Sequence, residues 1–160
     1  MADMLVELYH LRQDEALLSR LQKQGVQIKR ALAPDRQKVV DFILANFSQG
    51  WADECAAAFS NQPVSCYIAV KNHSVIGFAC YESTAKNFFG PIGVLESERG
   101  QGIGAALLLH SLLSMRDLGY AYAIIGWAAE TAIPFYQSRV QAVLLKEYGH
   151  GVYQRLIDLD

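Results

Sequence analysis

The sequence predicts an α/β fold of the α+β kind: one mixed, mostly antiparallel sheet flanked by helices. Three observations predict it. Apolar runs of strand period alternate with stretches of helical period, pairs of those runs are joined by hairpin turns, and a glycine-rich loop joins one strand to the longest apolar helix. The 160 residues are 52% hydrophobic and 19% charged, enough apolar material for one sizeable core and too much for a disordered chain. One domain over residues 26–160 follows, preceded by a helical extension over residues 1–25.

Leu11, Leu17, Leu18 and Leu21 recur at helical spacing among charged residues and Gly25 follows as a stop, which predicts a short amphipathic helix ahead of the domain. Val26–Ala33 alternates as a strand does. Pro34 ends it and opens a helix over Asp35–Phe47, with Val39, Val40, Ile43, Leu44 and Phe47 on one side. Trp51–Phe59 is a second short helix, favoured by Ala56, Ala57 and Ala58. Ser65–Lys71 and Val75–Glu82 are strands around the hairpin turn Asn72-His73-Ser74, so His73 is a turn residue and not a ligand. Phe88–Leu95 is the next strand, and Gly102–Leu118 a helix whose long apolar surface needs a sheet to pack on. Tyr120–Trp127, nearly all apolar, belongs in the middle of the sheet. Thr131–Arg139 is a short helix with Pro134 in its first turns. Gln141–Tyr148 and Val152–Asp158 are closing strands around Gly149-His150-Gly151.

Fourteen basic and sixteen acidic residues leave a formal charge of −2, with no run of like charges, so the broad basic face of a nucleic-acid binder is missing. Cys55, Cys66 and Cys80 are odd in number and lack C-x-x-C spacing, which argues against a disulfide framework and a zinc site and for small buried side chains. No metal constellation emerges from the histidines either. Residues 1–8 carry Asp3 and Glu7 without a basic region and an apolar core, and no stretch approaches a membrane span. A cytoplasmic protein with no membrane partner is the expectation.

The chemistry concentrates in Gly90–Leu108: strand, polar loop, three alternate glycines, helix. Gly100, Gly102 and Gly104 let the backbone adopt positive φ and touch a ligand, making a nest of N–H groups. The helix beyond has no acidic residue before Asp117, so its positive end is free for an anion, with phosphate the natural candidate and Arg99 beside it. A Walker loop needs Lys-Ser/Thr where Ala105-Ala106 stand. Gly100-x-Gly102-x-x-Ala105 has the dinucleotide spacing, but Glu96–Arg99 separate it from the strand end, and Tyr120–Trp127 offers a ribose no carboxylate. Pro91 lacks a donor and Gly93 holds a strand poorly, so Gly90–Val94 suits a bulge that splays two neighbouring strands. Freed main-chain groups there can pair with an extended ligand, and the N–H of Val94 or Leu95 can polarise an acyl carbonyl.

Arg99-Gly-Gln-Gly-Ile-Gly104, preceded by Gly90-Pro-Ile-Gly-Val94, resembles the GCN5-related N-acetyltransferase (GNAT) family, whose signature is Arg/Gln-x-x-Gly-x-Gly/Ala at a strand–helix junction. The order of elements from Val26 to Asp158 fits as well. The resemblance implies acetyl-CoA as co-substrate. Its pyrophosphate would lie on Arg99, Gly100, Gln101, Gly102, Ile103, Gly104 and Ala105, and its pantetheine arm along Ile92, Gly93 and Val94. It also implies acetyl transfer to a primary amine of a small molecule, or of a peptide, by direct attack in a ternary complex. Homodimers are in keeping with the family.

Attack by an amine of pKa near 10 requires loss of one proton, and the departing thiolate benefits from gaining one. Phe135-Tyr136 matches the family's Phe-Tyr placement, which implies Tyr136 as the general acid, although the family's following Gly-Phe is Gln141-Ala142 here. The histone-modifying branch carries its basic glutamate where this chain has Phe88. Glu82, closing the neighbouring strand, is the candidate base, with Glu54, Glu130 and water wires as alternatives. Trp51, Glu54 and Trp127 are candidate acceptor-binding residues, an aromatic and acidic lining for a cationic amine, against a core role for each tryptophan. A non-catalytic module that binds or senses acyl-CoA is the competing reading, kept open by Phe88.

Overall fold

Met4, Val6 and Leu8 alternate with Asp3, Leu5 and Glu7, and all three are fully buried. That period of two makes Ala2–Glu7 a strand, β1. The computed structural model describes residues 1–146 and 149–159. After β1 come α1 (Glu15–Lys23), β2 (Val26–Arg30), a 3-10 turn (Ala33–Asp35), α2 (Arg36–Asn46) and α3 (Gln49–Ala58). They are followed by β3 (Cys66–Lys71), β4 (Ser74–Tyr81), β5 (Phe88–Val94), a 3-10 turn (Glu96–Glu98) and α4 (Ile103–Asp117). β6 (Tyr122–Ala128), α5 (Ile133–Val140), β7 (Val143–Leu144) and a 3-10 turn (Gly151–Arg155) complete the order. The sheet runs β2-β3-β4-β5-β6-β1-β7, antiparallel at every pairing except β5–β6, so the mixed, mostly antiparallel architecture stands.

Two expectations are corrected. Residues 1–25 are not a helical extension alone: β1 lies inside the sheet, between β6 and β7. Its alternating acidic residues mask the strand when only its charges are read. The closing strands also fall short. Val143 and Leu144 pair with Leu5 and Met4, but Val152–Asp158 is a 3-10 turn followed by irregular chain, because β1 already occupies the place beside β6. Glu147 and Tyr148, the end of the expected Gln141–Tyr148 strand, lie outside the described residues.

Elsewhere local chemistry sets the boundaries. The Asp14 carboxylate caps α1 by accepting the Leu17 N–H at 3.0 Å, and Ser48 caps α3 by accepting the Trp51 N–H at 3.2 Å. Asn72 and His73, at φ 50° and 60°, form the tight turn between β3 and β4, so His73 is the turn residue the sequence predicts. One core, centred on α4 with α1 and α5, covers one face of the sheet; a second, under α2 and α3, covers the other. Cys55, Cys66 and Cys80 meet in the second, fully buried, with their sulfurs within 4.8 Å of one another. Their sequence spacing conceals that convergence, since α3, β3 and β4 bring them together. Among the described residues, no helix is long and apolar enough to cross a membrane.

Candidate active site

The parallel pair β5–β6 is short. Phe88 stands opposite Ile124 and Phe89 opposite Ile125, the Ile124 N–H donates to Asn87 O at 2.8 Å, and no further pair follows. From Gly90 on β5 and Gly126 on β6 the strands part, the splay that Pro91 and Gly93 predict. On the other side of β5 the ladder continues with a register shift between Ala79 and Tyr81, which marks the bulge.

The polarity of the open edge follows from this register. The Leu95 N–H donates to Ile76 O at 2.9 Å, which makes Gly77–Val94 a pair without mutual hydrogen bonds. The main-chain groups of Val94, and of Ile92 two residues back, therefore point away from β4 into the gap. Leu95 is thus withdrawn as a carbonyl-polarising donor and Val94 remains. The Val94 carbonyl is held by Arg99 Nε at 3.1 Å. Gly93 faces the other way. A Cβ on it would stand 2.7 Å from the Phe47 ring, so glycine here lets α2 close onto the strand. An open groove of about 600 Å³, lined by Asn46, Phe47, Val94, Leu95, Glu96, Ser97 and Arg99, leads along this edge. A second cavity, of about 420 Å³ beside Glu7, Arg12, Tyr122 and Arg139, shares no residue with it or with the nest.

At the start of α4, Gly100 and Gly102 have φ of 80° and 91°. Among the described residues, the N–H groups from Gly100 to Ala105 make no turn or cap hydrogen bond to the backbone; the Ala106 N–H, on Gly102 O at 3.0 Å, is the first to do so. Ile103 meanwhile roots the loop, its side chain 1% exposed in the core. Glu98, the nearest acid, is neutralised by Lys71 at 3.1 Å and accepts from the Gln101 amide at 3.1 Å, so the Gln101 side chain serves the loop. α1 leans on the nest: a Cβ on Gly102 would meet Leu17 Cδ1 at 2.6 Å and Arg20 Nη2 at 3.1 Å. Arg20, which nothing in its sequence context singles out, adds a cation beside this cradle of N–H groups.

Tyr136 lies on the α4 side, 6% exposed, its ring 6.4 Å from that of Phe89. Phe135 packs 3.6 Å from the Cβ position of Gly104, which ties α5 to the nest. The Tyr136 hydroxyl has no hydrogen-bond partner among the described residues, and burial pushes its pKa up to about 12. It holds its proton at neutral pH and is a donor.

Phe88 points to the opposite face, that of α3. There Tyr153, from the C-terminal 3-10 turn, stacks on Trp127 at 4.1 Å between centroids and meets Phe88 edge-on at 6.5 Å. The half-buried Glu54 accepts a hydrogen bond from Thr84 Oγ1, and burial raises its pKa above the usual carboxylate value against the pull of that bond. Trp51 stays with Phe47 and Phe78, at 5.5 and 6.1 Å, and makes no ring contact with Trp127 among the described residues. Glu82 has a different employment. At φ 58° its Oε1 accepts the Asn87 N–H at 2.6 Å and its Oε2 the Tyr120 hydroxyl at 3.2 Å, closing the 82–87 loop. Glu130 is exposed. Tyr153 escapes a sequence reading altogether, because only the return of the C-terminal turn brings it to β6.

Residues 62–139 match the family model of the acetyltransferase (GNAT) domain. Among solved structures, the chain is similar to the GCN5-related glucosamine N-acetyltransferase region of a fungal multi-domain GH3 β-N-acetylglucosaminidase, with a TM-score of 0.72 and 17% identity over 90% of this chain and 19% of that one. It is also similar to a GCN5-related N-acetyltransferase from Sphaerobacter thermophilus, with a TM-score of 0.60 and 16% identity over 90% of this chain and 48% of that one. A third is a GNAT family acetyltransferase from Brucella melitensis in complex with acetyl-CoA, with a TM-score of 0.52 and 18% identity over 69% of this chain and 80% of that one. The chain spans less than half the length of the first two. No curated protein matches its sequence significantly. Residues 62–139 thus carry a GNAT acetyltransferase domain match, and the chain shares its fold with GNAT acetyltransferase structures.

Proposed function

We propose that the chain transfers acetyl from acetyl-CoA to a primary amine of a small molecule by direct attack in a ternary complex. The observation that carries this is the conjunction of the splayed β5–β6 pair with the nest beside it: free N–H groups along an extended edge, ending at the run of N–H groups from Gly100 to Ala105. That arrangement fits an extended amide arm with a pyrophosphate end. Ile92 and Val94 would hold the arm, Gly93 being turned to β4, and Gly100–Ala105 with Arg99 and Arg20 would hold the phosphates. Acetyl-CoA supplies an activated acyl group as a thioester.

The remaining roles belong to the chain. The Val94 N–H stabilises negative charge developing on an acyl oxygen. Tyr136 donates a proton to a departing sulfur. Glu54 takes the proton of the attacking amine in place of Glu82, whose oxygens close a loop; a raised pKa brings Glu54 closer to neutral, where a base works best.

Calorimetric titration with acetyl-CoA, followed by thiol release with DTNB across polyamines, amino sugars, aminoglycosides and amino acids, tests the proposal. Binding that Gly102→Glu abolishes, with turnover of at least one amine that Tyr136→Phe slows, supports it; absence of binding overturns it. Phe88, apolar where the histone-modifying branch has a carboxylate, favours a second reading, a non-catalytic acyl-CoA-binding module. Binding without turnover of any amine would select that one.

A further inference from the structure

Tyr153 reaches the point where the gap opens. Gly126 is the first β6 residue beyond the last β5–β6 pair, and a Cβ on it would stand 2.1 Å from Tyr153 Oη and 2.9 Å from Phe88 Cδ2. The phenol therefore lies directly on the strand at the vertex. It is fixed there. The Tyr153 N–H donates to His150 O at 3.1 Å, the Leu156 N–H donates to Tyr153 O at 2.9 Å, and the ring is parallel to Trp127 within 14°. Trp127 itself has φ 46°, a conformation costly for a tryptophan, and the Asp3 carboxylate holds it there by accepting its N–H at 2.8 Å. Strain at Trp127, held by β1 and covered by the C-terminal turn, marks a place where position matters more than stability.

We infer that Tyr153 is an acceptor-side catalytic residue, its hydroxyl holding the attacking amine at the vertex and passing the amine's proton toward Glu54. This rests on the acetyl-transfer reading above. The proton balance is simple. The ammonium N–H⁺ moves to Tyr153 Oη as the Oη–H proton passes to water and on to the Glu54 carboxylate; the phenol and the water end as they began, the amine is neutral and Glu54 is protonated. The phenol packs against the rings of Phe88 and Trp127, with His150 6.4 Å from Trp127, and lies within the field of the Asp3 carboxylate of β1 and the Glu54 carboxylate of α3. Burial, then the negative charges of Asp3 and Glu54, hold the phenol's pKa above its ordinary value, so it is a neutral relay at working pH and not a base. The same two carboxylates have no cationic partner among the described residues, which suits an acceptor that arrives positively charged.

The test compares wild type, Tyr153→Phe and Glu54→Gln by DTNB thiol release with spermidine and glucosamine as probes across a pH series, beside calorimetric acetyl-CoA affinity. The expected result for Tyr153→Phe is a 10- to 100-fold lower kcat/KM at neutral pH, with the rising limb of its pH profile moved to higher pH. Acetyl-CoA affinity stays within about twofold, because the nest is untouched. An unchanged pH profile and rate, or an equal loss of acetyl-CoA affinity that reveals a merely structural ring, overturns the inference while leaving the transfer reading intact. Wild-type protein that binds acetyl-CoA and turns over neither probe nor any amine of the panel overturns both.

Discussion

Replacing Gly102 by alanine separates two costs that the structure locates at one atom. At φ 91° any L side chain is strained, by about 1–2 kcal/mol. The added Cβ also stands 2.6 Å from Leu17 Cδ1, and Leu17 is 7% exposed and cannot swing free, so overpacking adds about 1–3 kcal/mol. Arg20 Nη2, at 3.1 Å, is the end of a flexible, exposed side chain and yields cheaply. The expected loss is about 2–5 kcal/mol, read as a lower urea midpoint at unchanged slope and a fall in Tm of about 4–20 °C. A double-mutant cycle with Leu17→Ala divides it. Leu17→Ala alone costs about 2–5 kcal/mol through the cavity it leaves; in the Gly102→Ala background it costs about 1–3 kcal/mol less, because the methyl it removes is the one in the way. Additive single and double variants, with a coupling below about 0.5 kcal/mol, would refute the packing of α1 on the nest.

Arg20→Ala weakens acetyl-CoA binding by about 3- to 10-fold and flattens its salt dependence, measured by titration at two ionic strengths, because one cation beside the nest is lost. Tyr136→Phe lowers kcat about 100-fold or more if the phenol is the acid that meets the leaving sulfur, with acetyl-CoA affinity little changed. Its stability profile changes too. A phenol whose pKa is raised to about 12 on folding contributes stability that is full below about pH 10 and lost as pH rises toward 12, so the variant's urea midpoint falls less than the wild type's over that interval. Glu54→Gln reduces turnover yet raises Tm at neutral pH, since burial penalises the ionised carboxylate. That advantage disappears below about pH 4, where the wild-type group is protonated in both states.

What the sequence made legible was contiguous. Strand, loop and glycine helix from Gly90 to Ala105 carry their geometry in neighbouring residues, and so does the turn at Asn72-His73, where positive φ is a local demand. Tyr136 was singled out only through the resemblance, by its Phe-Tyr placement; that its phenol is buried is a fact of the fold. What stayed hidden depends on partners distant in the chain. β1 is a strand only because β6 and β7 flank it, and Tyr153 serves β6 only because the turn after Gly149 folds back. Glu82 shows the converse error. A carboxylate at a strand end is a candidate base by sequence, whereas its positive φ and the nearby Asn87 N–H turn it to loop closure. Leu95 fails for a similar reason, since only the register with Ile76 decides which N–H groups face the gap.

The place of β1 sets a schedule for folding. β1 pairs on one side with residues 122–128 and on the other with Leu144 and Val143, so it has no ladder partner until those distant residues have been made. Met4, Val6 and Leu8 must wait, exposed, while β2 to β5 assemble by local hairpins. Because Asp3 on that same strand fixes Trp127, the β6 side of the gap takes its shape only when the two ends of the described chain have met.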